Sequence, residues 1–326
     1  MERQGVTEHE STKGRVITVT LNPAVDLFVS VKHLEPGTLH RVPTPLQHAG
    51  GKGLNVAKML ASLSVPTVAT GFLGGRRGDW LHEALLSQGV DSKFVRIANE
   101  SRMNVKVIDE AGTLTELNSP APAFTDDEWR AFGDTLRTLC EPNSWLALCG
   151  NLPAGCPNHW YQNTISWAKQ SDIKTLLDAS GVALELGLKA CPDVIKPNQH
   201  ELEQLTGLTL HNLEEVMRAA AQLVDAGVGL VVVSLGEEGL AAVTSSAAIH
   251  VRVPSVPVVS SVGAGDTVVA GLLYGIFHRF SLYDTVRFAA AAGTAKVQKP
   301  GNMHPSQVDI ETCLASTDIV DWRSKS

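Results

Sequence analysis

Residues 260–273, SSVGAGDTVVAGLL, run from a glycine-bounded turn straight into an apolar helical stretch, and an acid, Asp266, stands where the two meet. Glycines let a backbone approach a ligand closely, and the free N–H groups of a first helical turn, with the helix dipole behind them, form an anion site. A phosphoryl group fits such a site. The plain reading of Asp266 is a helix-start acid stabilised by the dipole, worth about 0.3–1 kcal/mol. A carboxylate beside a bound phosphate would repel it, however. A protein that keeps both has a use for the acid, and taking the proton of an attacking hydroxyl is one.

Outward from this turn the chain alternates short, β-branched apolar stretches with longer helical patterns, as βαβ units do. VITVTL (16–21), VATGFL (68–73), WLALCG (145–150), TLLD (175–178), DVIK (193–196) and LVVVSLG (230–236) read as buried parallel strands. Apolar residues at helical spacing predict helices over 79–88, 126–140, 159–170 and 213–225, and two small-residue helices over 265–278 and 282–295. Thr125 followed by Glu128 has the pattern of a capping box. The outline is α/β, a doubly wound and mostly parallel sheet flanked by helices. Two stretches break the rhythm, about 22–47 and 94–122, where RMNVKVIDEAGTLTEL reads as strand, turn, strand. Alternating side chains suit a small half-exposed sheet, which we read as a lid over the carboxyl ends of the main strands. The expected organisation is a tail over 1–15, one domain over 16–316 carrying the lid strands, and a C-terminal tail over 317–326.

Composition sets outer limits. With 326 residues and 44% hydrophobic content the chain can bury a large core, and a net charge of −7 argues against grip on nucleic-acid backbones. Five cysteines without a C-x-x-C pair suit thiols in a reducing compartment, and no run approaches a membrane span, so the expected location is the cytoplasm. GGKGLNVAK (50–58) lacks the spacing of a Walker loop, no G-x-G-x-x-G follows a strand, and 71–78 reads as an ordinary strand-to-helix turn.

SSVGAGDTVVAG, together with HAGGKGLNVAKMLASL (48–63), is similar to the two signatures of the ribokinase-like, PfkB-type sugar kinases. TLNPAVDL (20–27), SRMNVKV (101–107), GNLPAG (150–155), KPNQHEL (196–202) and VSLGEEG (233–239) fall in that family's order and spacing, so the resemblance spans 16 to about 295. Within the family the combination most resembles the bacterial 1-phosphofructokinases. The resemblance implies ATP and Mg2+ as co-reactants, a homodimer formed through the lid, and Asp266 as the base that takes the acceptor hydroxyl's proton. The amides of Gly263, Ala264 and Gly265 would stabilise the transferring phosphoryl. At its usual pKa of about 3.9 that aspartate would be ionised at neutral pH without tuning.

Further roles follow from the resemblance residue by residue. Asp26 would hold sugar hydroxyls, and Gly50, Gly51 and Asn55 would line the same pocket, whereas the plain readings are a strand-end acid and a helix-start turn. Lys52, Arg102 and Lys106 are candidate phosphate holders. Arg102 and Lys106 are an even number of positions apart and share one face of an extended strand. Asn198 and Glu201 read as a capping box, and by resemblance as the pair that positions magnesium and phosphate, Glu201 through water. Lys196 would sit near the nucleotide phosphates, and Ser234, Gly236 and Gly239 would contact the nucleotide. Asn151 stands where relatives commonly carry serine, at a sugar contact. Thr38 and His40 replace basic residues that grip the C6 phosphate in the minor 6-phosphofructokinases, which together with Lys106 favours fructose 1-phosphate as substrate. The alternatives are a tagatose-6-phosphate or 6-phosphofructokinase, and a non-catalytic sugar-phosphate-binding regulator on the same scaffold.

Overall fold

The computed structural model describes residues 14–322. The expected N-terminal tail therefore lies almost wholly outside the described residues. The main sheet has ten strands. Seven are parallel neighbours: β5 (Asp91–Ile97), β4 (Thr67–Gly74), β1 (Val16–Thr20), β8 (Trp145–Cys149), β9 (Lys174–Asp178), β10 (Val194–Ile195) and β11 (Leu230–Ser234). An antiparallel meander of β12 (Leu240–Val243), β13 (Ala248–Arg252) and β14 (Asp318–Asp321) completes one edge.

Buried on both faces, the central strands are apolar at nearly every position. Ile17, Val19, Leu146, Leu148, Leu177, Val231 and Val233 point into one core, and Val16, Ala147, Cys149, Leu176 and Val232 into the other. The first core takes α3 (Asp126–Leu139), α4 (Trp160–Gln170), α5 (Gly181–Leu188), α6 (Gln199–Thr206) and α7 (Leu213–Asp225). The second takes α1 (Lys52–Ser62), α8 (Ala264–Phe277), α9 (Leu282–Val297) and α10 (Gln307–Leu314). Between them α2 (Gly75–Ser87) packs beneath the lid. Both halves of the capping box at Thr125 and Glu128 are formed.

The lid is a second sheet, ordered β3 (Leu46–Gly50), β2 (Ala24–Ser30), β6 (Arg102–Ile108), β7 (Leu114–Asn118). Its boundaries differ from those expected. Asp91–Ile97 does not belong to it but is the edge strand of the main sheet, in parallel register with Val68–Gly74. Within 22–47 only the two ends are strand. The expected C-terminal tail also needs correction, since Asp318–Asp321 pairs with β13 and closes the sheet edge. In the lid's register Ala24, Asp26 and Phe28 lie opposite Arg102, Asn104 and Lys106, so these six share one face, and that face looks at the carboxyl ends of β1 and β8.

Candidate active site

Two cavities meet at the start of α8. One, of about 380 Å³, lies under the lid and is lined by Asp26, Lys52, Asn55, Arg102, Lys106 and Asp266, with Gly51, Asn151 and Gly263 at its walls. The other, of about 470 Å³, is more apolar and is lined by Asn198, Ser234, Gly236, Gly239, Ala264 and Gly265 among others. The first helical turn is thus the partition: Gly263 and Asp266 face the polar cavity, Ala264 and Gly265 the other. Gly50 sits just behind Asp26, where a Cβ would stand 2.4 Å from the carboxylate. Lys196 and Glu201 line neither cavity, although Lys196 Nζ lies 3.4 Å from where a Cβ of Gly265 would be.

The turn itself follows from its glycines. Gly263 has φ of 77°, a left-handed conformation that glycine adopts without strain, and no side chain caps the helix. Ala264 N–H donates to Ser261 O at 3.2 Å, so this amide, expected to face a phosphoryl group, is engaged within the turn. The first intrahelical bond runs from Thr267 N–H to Gly263 O at 3.0 Å, which leaves the amides of Gly265 and Asp266 ahead of it.

Across the lid face, Asn104 Nδ2 donates to Asp26 Oδ1 at 2.9 Å, and Lys106 Nζ bridges Asp26 at 3.4 Å and Glu116 at 3.1 Å. Arg102 donates to Asn22 O, Asn104 Oδ1 and Ser119 O at 3.3–3.4 Å, long contacts that a bound dianion could replace. Asn55 Nδ2 donates to Asp266 Oδ2 at 2.7 Å, while its own Oδ1 is buried without a hydrogen-bond partner beside the cavity, an acceptor ready for a hydroxyl. Asn151 Oδ1 accepts from Ser180 Oγ at 2.6 Å. The Asn198–Glu201 capping box is complete, with Glu201 N–H donating at 2.8 Å and Asn198 N–H at 2.9 Å, so one Glu201 oxygen is occupied in holding the helix.

The sequence profile of the pfkB family of carbohydrate kinases matches residues 19–309. The chain belongs to the pfkB family of carbohydrate kinases. It is a phosphotransferase with an alcohol acceptor, and the curated relatives and solved structures agree in fold and class. It is 37% identical to the 1-phosphofructokinase of Vibrio cholerae, over 88% of this chain and 90% of that one. It is 34% identical to the 1-phosphofructokinase of Escherichia coli K12, over 94% and 98%. The structure of Escherichia coli phosphofructokinase-2 with substrates and products superposes with a TM-score of 0.88 at 32% identity, covering 92% of this chain and 98% of that one. The same enzyme with fructose-6-phosphate gives 0.87 at 31%, covering 93% and 98%.

In this pfkB kinase the electrostatics of Asp266 depart from expectation. Burial and the nearby Asp178 raise its carboxyl above the ordinary aspartate range, opposed by the Asn55 hydrogen bond and by Lys52 and Lys196. Burial pulls Lys52 down, but Asp178, Asp266 and Glu201 together carry it above its usual value. Lys58, 4% exposed, donates to Ala49 O at 2.7 Å, and burial lowers it to about 8. No group of three or more His, Cys, Asp or Glu among the described residues could hold a metal unaided.

Sequence reasoning passed over Asn104, Glu116, Asn118, Asn302 and Asp178. The first three share the parity of Arg102 and Lys106 across paired strands, and that alternation was the available signal. Asp178 closes an apolar strand, a position that α/β sheets reserve for ligand contact. Asn302 lies in the turn after α9 and carries no such mark.

Proposed function

We propose that the protein phosphorylates the C6 hydroxyl of fructose 1-phosphate with ATP, giving fructose 1,6-bisphosphate and ADP. The observation that carries this reading is the shared wall: one helical turn presents Asp266 to a polar, cation-lined cavity and Gly265 to a more apolar one. Sugar phosphate in the first and nucleotide in the second would place the acceptor hydroxyl and the γ-phosphoryl on either side of that turn. The hydroxyl oxygen forms a bond to phosphorus, the bond to the ADP oxygen breaks, and the hydroxyl proton passes to the Asp266 carboxylate. Raised by burial, Asp266 is a stronger base than a free aspartate. Arg102 and Lys106 hold the 1-phosphate, Asp26 and Asn55 the sugar hydroxyls, and the Gly263–Gly265 amides the moving phosphoryl. Lys196, Asn198, Ser234, Gly236 and Gly239 serve the nucleotide. Glu201 would hold Mg2+ through water, where the ion supplies neutralisation of phosphate charge.

The 1-phosphate assignment is supported by the relatives in Vibrio and Escherichia and by the loop at Thr38 and His40. Those two side chains bond each other at 3.0 Å and Glu35 O, and neither lines the cavity. The likeness to a phosphofructokinase-2 bound to fructose-6-phosphate favours that sugar as the second candidate. ADP release measured across fructose 1-phosphate, fructose 6-phosphate and tagatose 6-phosphate decides between them. The reading expects the first to have the highest kcat/KM, preference for a 6-phosphate would replace it, and no ADP with any sugar would leave a binding protein. We place the enzyme in the cytoplasm, in keeping with its five unpaired cysteines. We also read it as a homodimer: the lid's outer face carries the half-buried Leu27, Val29 and Val105 and the exposed Leu117.

A further inference from the structure

Asp178 is among the least accessible charged groups of the molecule, 1% exposed at the end of β9, and it lines neither cavity. A buried carboxylate without partners would be strongly disfavoured, so its partners reveal its purpose. They are two lysines from opposite sides of the reaction. Lys52 Nζ, on the first turn of α1 in the sugar cavity, stands 3.4 Å from Asp178, and Lys196 Nζ, beneath Gly265 on the nucleotide side, stands 3.4 Å from Asp178 Oδ1. Asp178 O accepts from Gly150 N–H at 2.8 Å, which ties the end of β9 to the loop after β8. Asp178 Oδ2 takes no hydrogen bond from the protein.

We propose that Asp178 is a positioning residue for phosphoryl transfer: its buried carboxylate yokes Lys52 to Lys196 and so fixes the cations of both half-sites against the turn that carries Asp266. The inference rests on reading that turn as the transfer site. Each lysine would otherwise be free to collapse onto Asp266, the next buried carboxylate. Paired at 3.4 Å, a distance longer than a good charge-assisted bond, the lysines remain able to turn toward incoming phosphate oxygens. The yoke therefore keeps the base unpaired by cations in the free enzyme and keeps the cations aimed at the substrate gap.

The charges around Asp266 give this a direction in pH. Lys52 and Lys58 face it from α1 with Asn55, Lys196 from beyond β10, Lys296 from α9, Cys149 from the end of β8, and Asp178 from β9. Asp178 is the anion of this set that raises Asp266. Replacing it by the neutral Asp178→Asn removes that repulsion and releases two cations, and both changes lower the pKa of the base. The acid limb of kcat/KM for sugar phosphate, which reports the free enzyme, should move to lower pH by roughly half a unit or more. Turnover on the plateau should fall about 10²-fold as the lysines lose their geometry.

The test is the pH profile of kcat/KM for wild type and Asp178→Asn, with far-UV circular dichroism to establish folding. ADP release by wild type with sugar phosphate tests the functional reading alone, whereas the displacement between the two profiles tests the yoke. A folded D178N with its acid limb where wild type has it overturns the proposal, and so does a D178N loss of turnover that is undiminished in a K52M K196M background, because a carboxylate that acts through the two lysines has nothing left to position once they are gone. Should D178N not fold, Lys52→Met and Lys196→Met carry the test. Each removes a cation beside Asp266 and is expected to move the limb to higher pH, and no movement in either variant overturns the proposal.

Discussion

Asp266 and Arg102 divide the work of the polar cavity, and their surroundings say how. Asp266 is buried and held at 2.7 Å by Asn55, whereas Arg102 is half-buried and loosely bonded to three oxygens at 3.3–3.4 Å. A guanidinium so weakly engaged gains more from a dianion than it loses. Arg102→Ala is therefore expected to raise KM for the sugar phosphate at least about tenfold, with KM for ATP changed little. Steady-state kinetics with each substrate varied in turn checks this, and equal effects on both would place the phosphate elsewhere. The placement of Arg102 with Lys106 on the cavity wall was legible because parity on one strand puts them together. The raised carboxyl of Asp266 was not, because its main causes, burial within the fold and the nearby Asp178 at the end of β9, are tertiary.

At the scale of elements, α8 and α9 hold the Gly263–Asp266 turn in place through small residues. A Cβ at Gly271 would lie 2.6 Å from Ala289 Cα, backbone that cannot step aside cheaply. Gly271→Ala should therefore destabilise the fold by about 1–3 kcal/mol through overpacking, measured as a shift in the denaturant midpoint. An unchanged midpoint would mean the two helices are free to part. Six of the helices and the central strands were readable from apolar runs and spacing, whereas α5 and α10 were not named, and the ends of α3 and α7 agree closely with the expected ones. The lid stretch was drawn from about 94, which takes in the second half of Asp91–Ile97, because alternation looks alike in a lid and at a sheet edge. Its parallel pairing with β4, across more than twenty residues of chain, is what decides. Asp318–Asp321 is too short and polar to announce itself, and gains its strand only by pairing with β13.

The whole molecule is a doubly wound sheet whose carboxyl edge is roofed by a second sheet, polar on the face it turns to the cavity and apolar on the other. Closing the roof over substrate excludes water from the transferring group, and pairing two roofs would cover the apolar face. Sedimentation equilibrium is expected to give twice the monomer mass at micromolar concentration, and a monomer mass at every concentration would leave the lid's outer face unexplained. The central claim is the base on the partition between the two cavities, and turnover of Asp266→Asn measures it most directly. With fructose 1-phosphate and ATP the variant should lose about 10²–10⁴ in kcat while retaining both KM values within a few fold. Turnover near that of wild type would contradict the account.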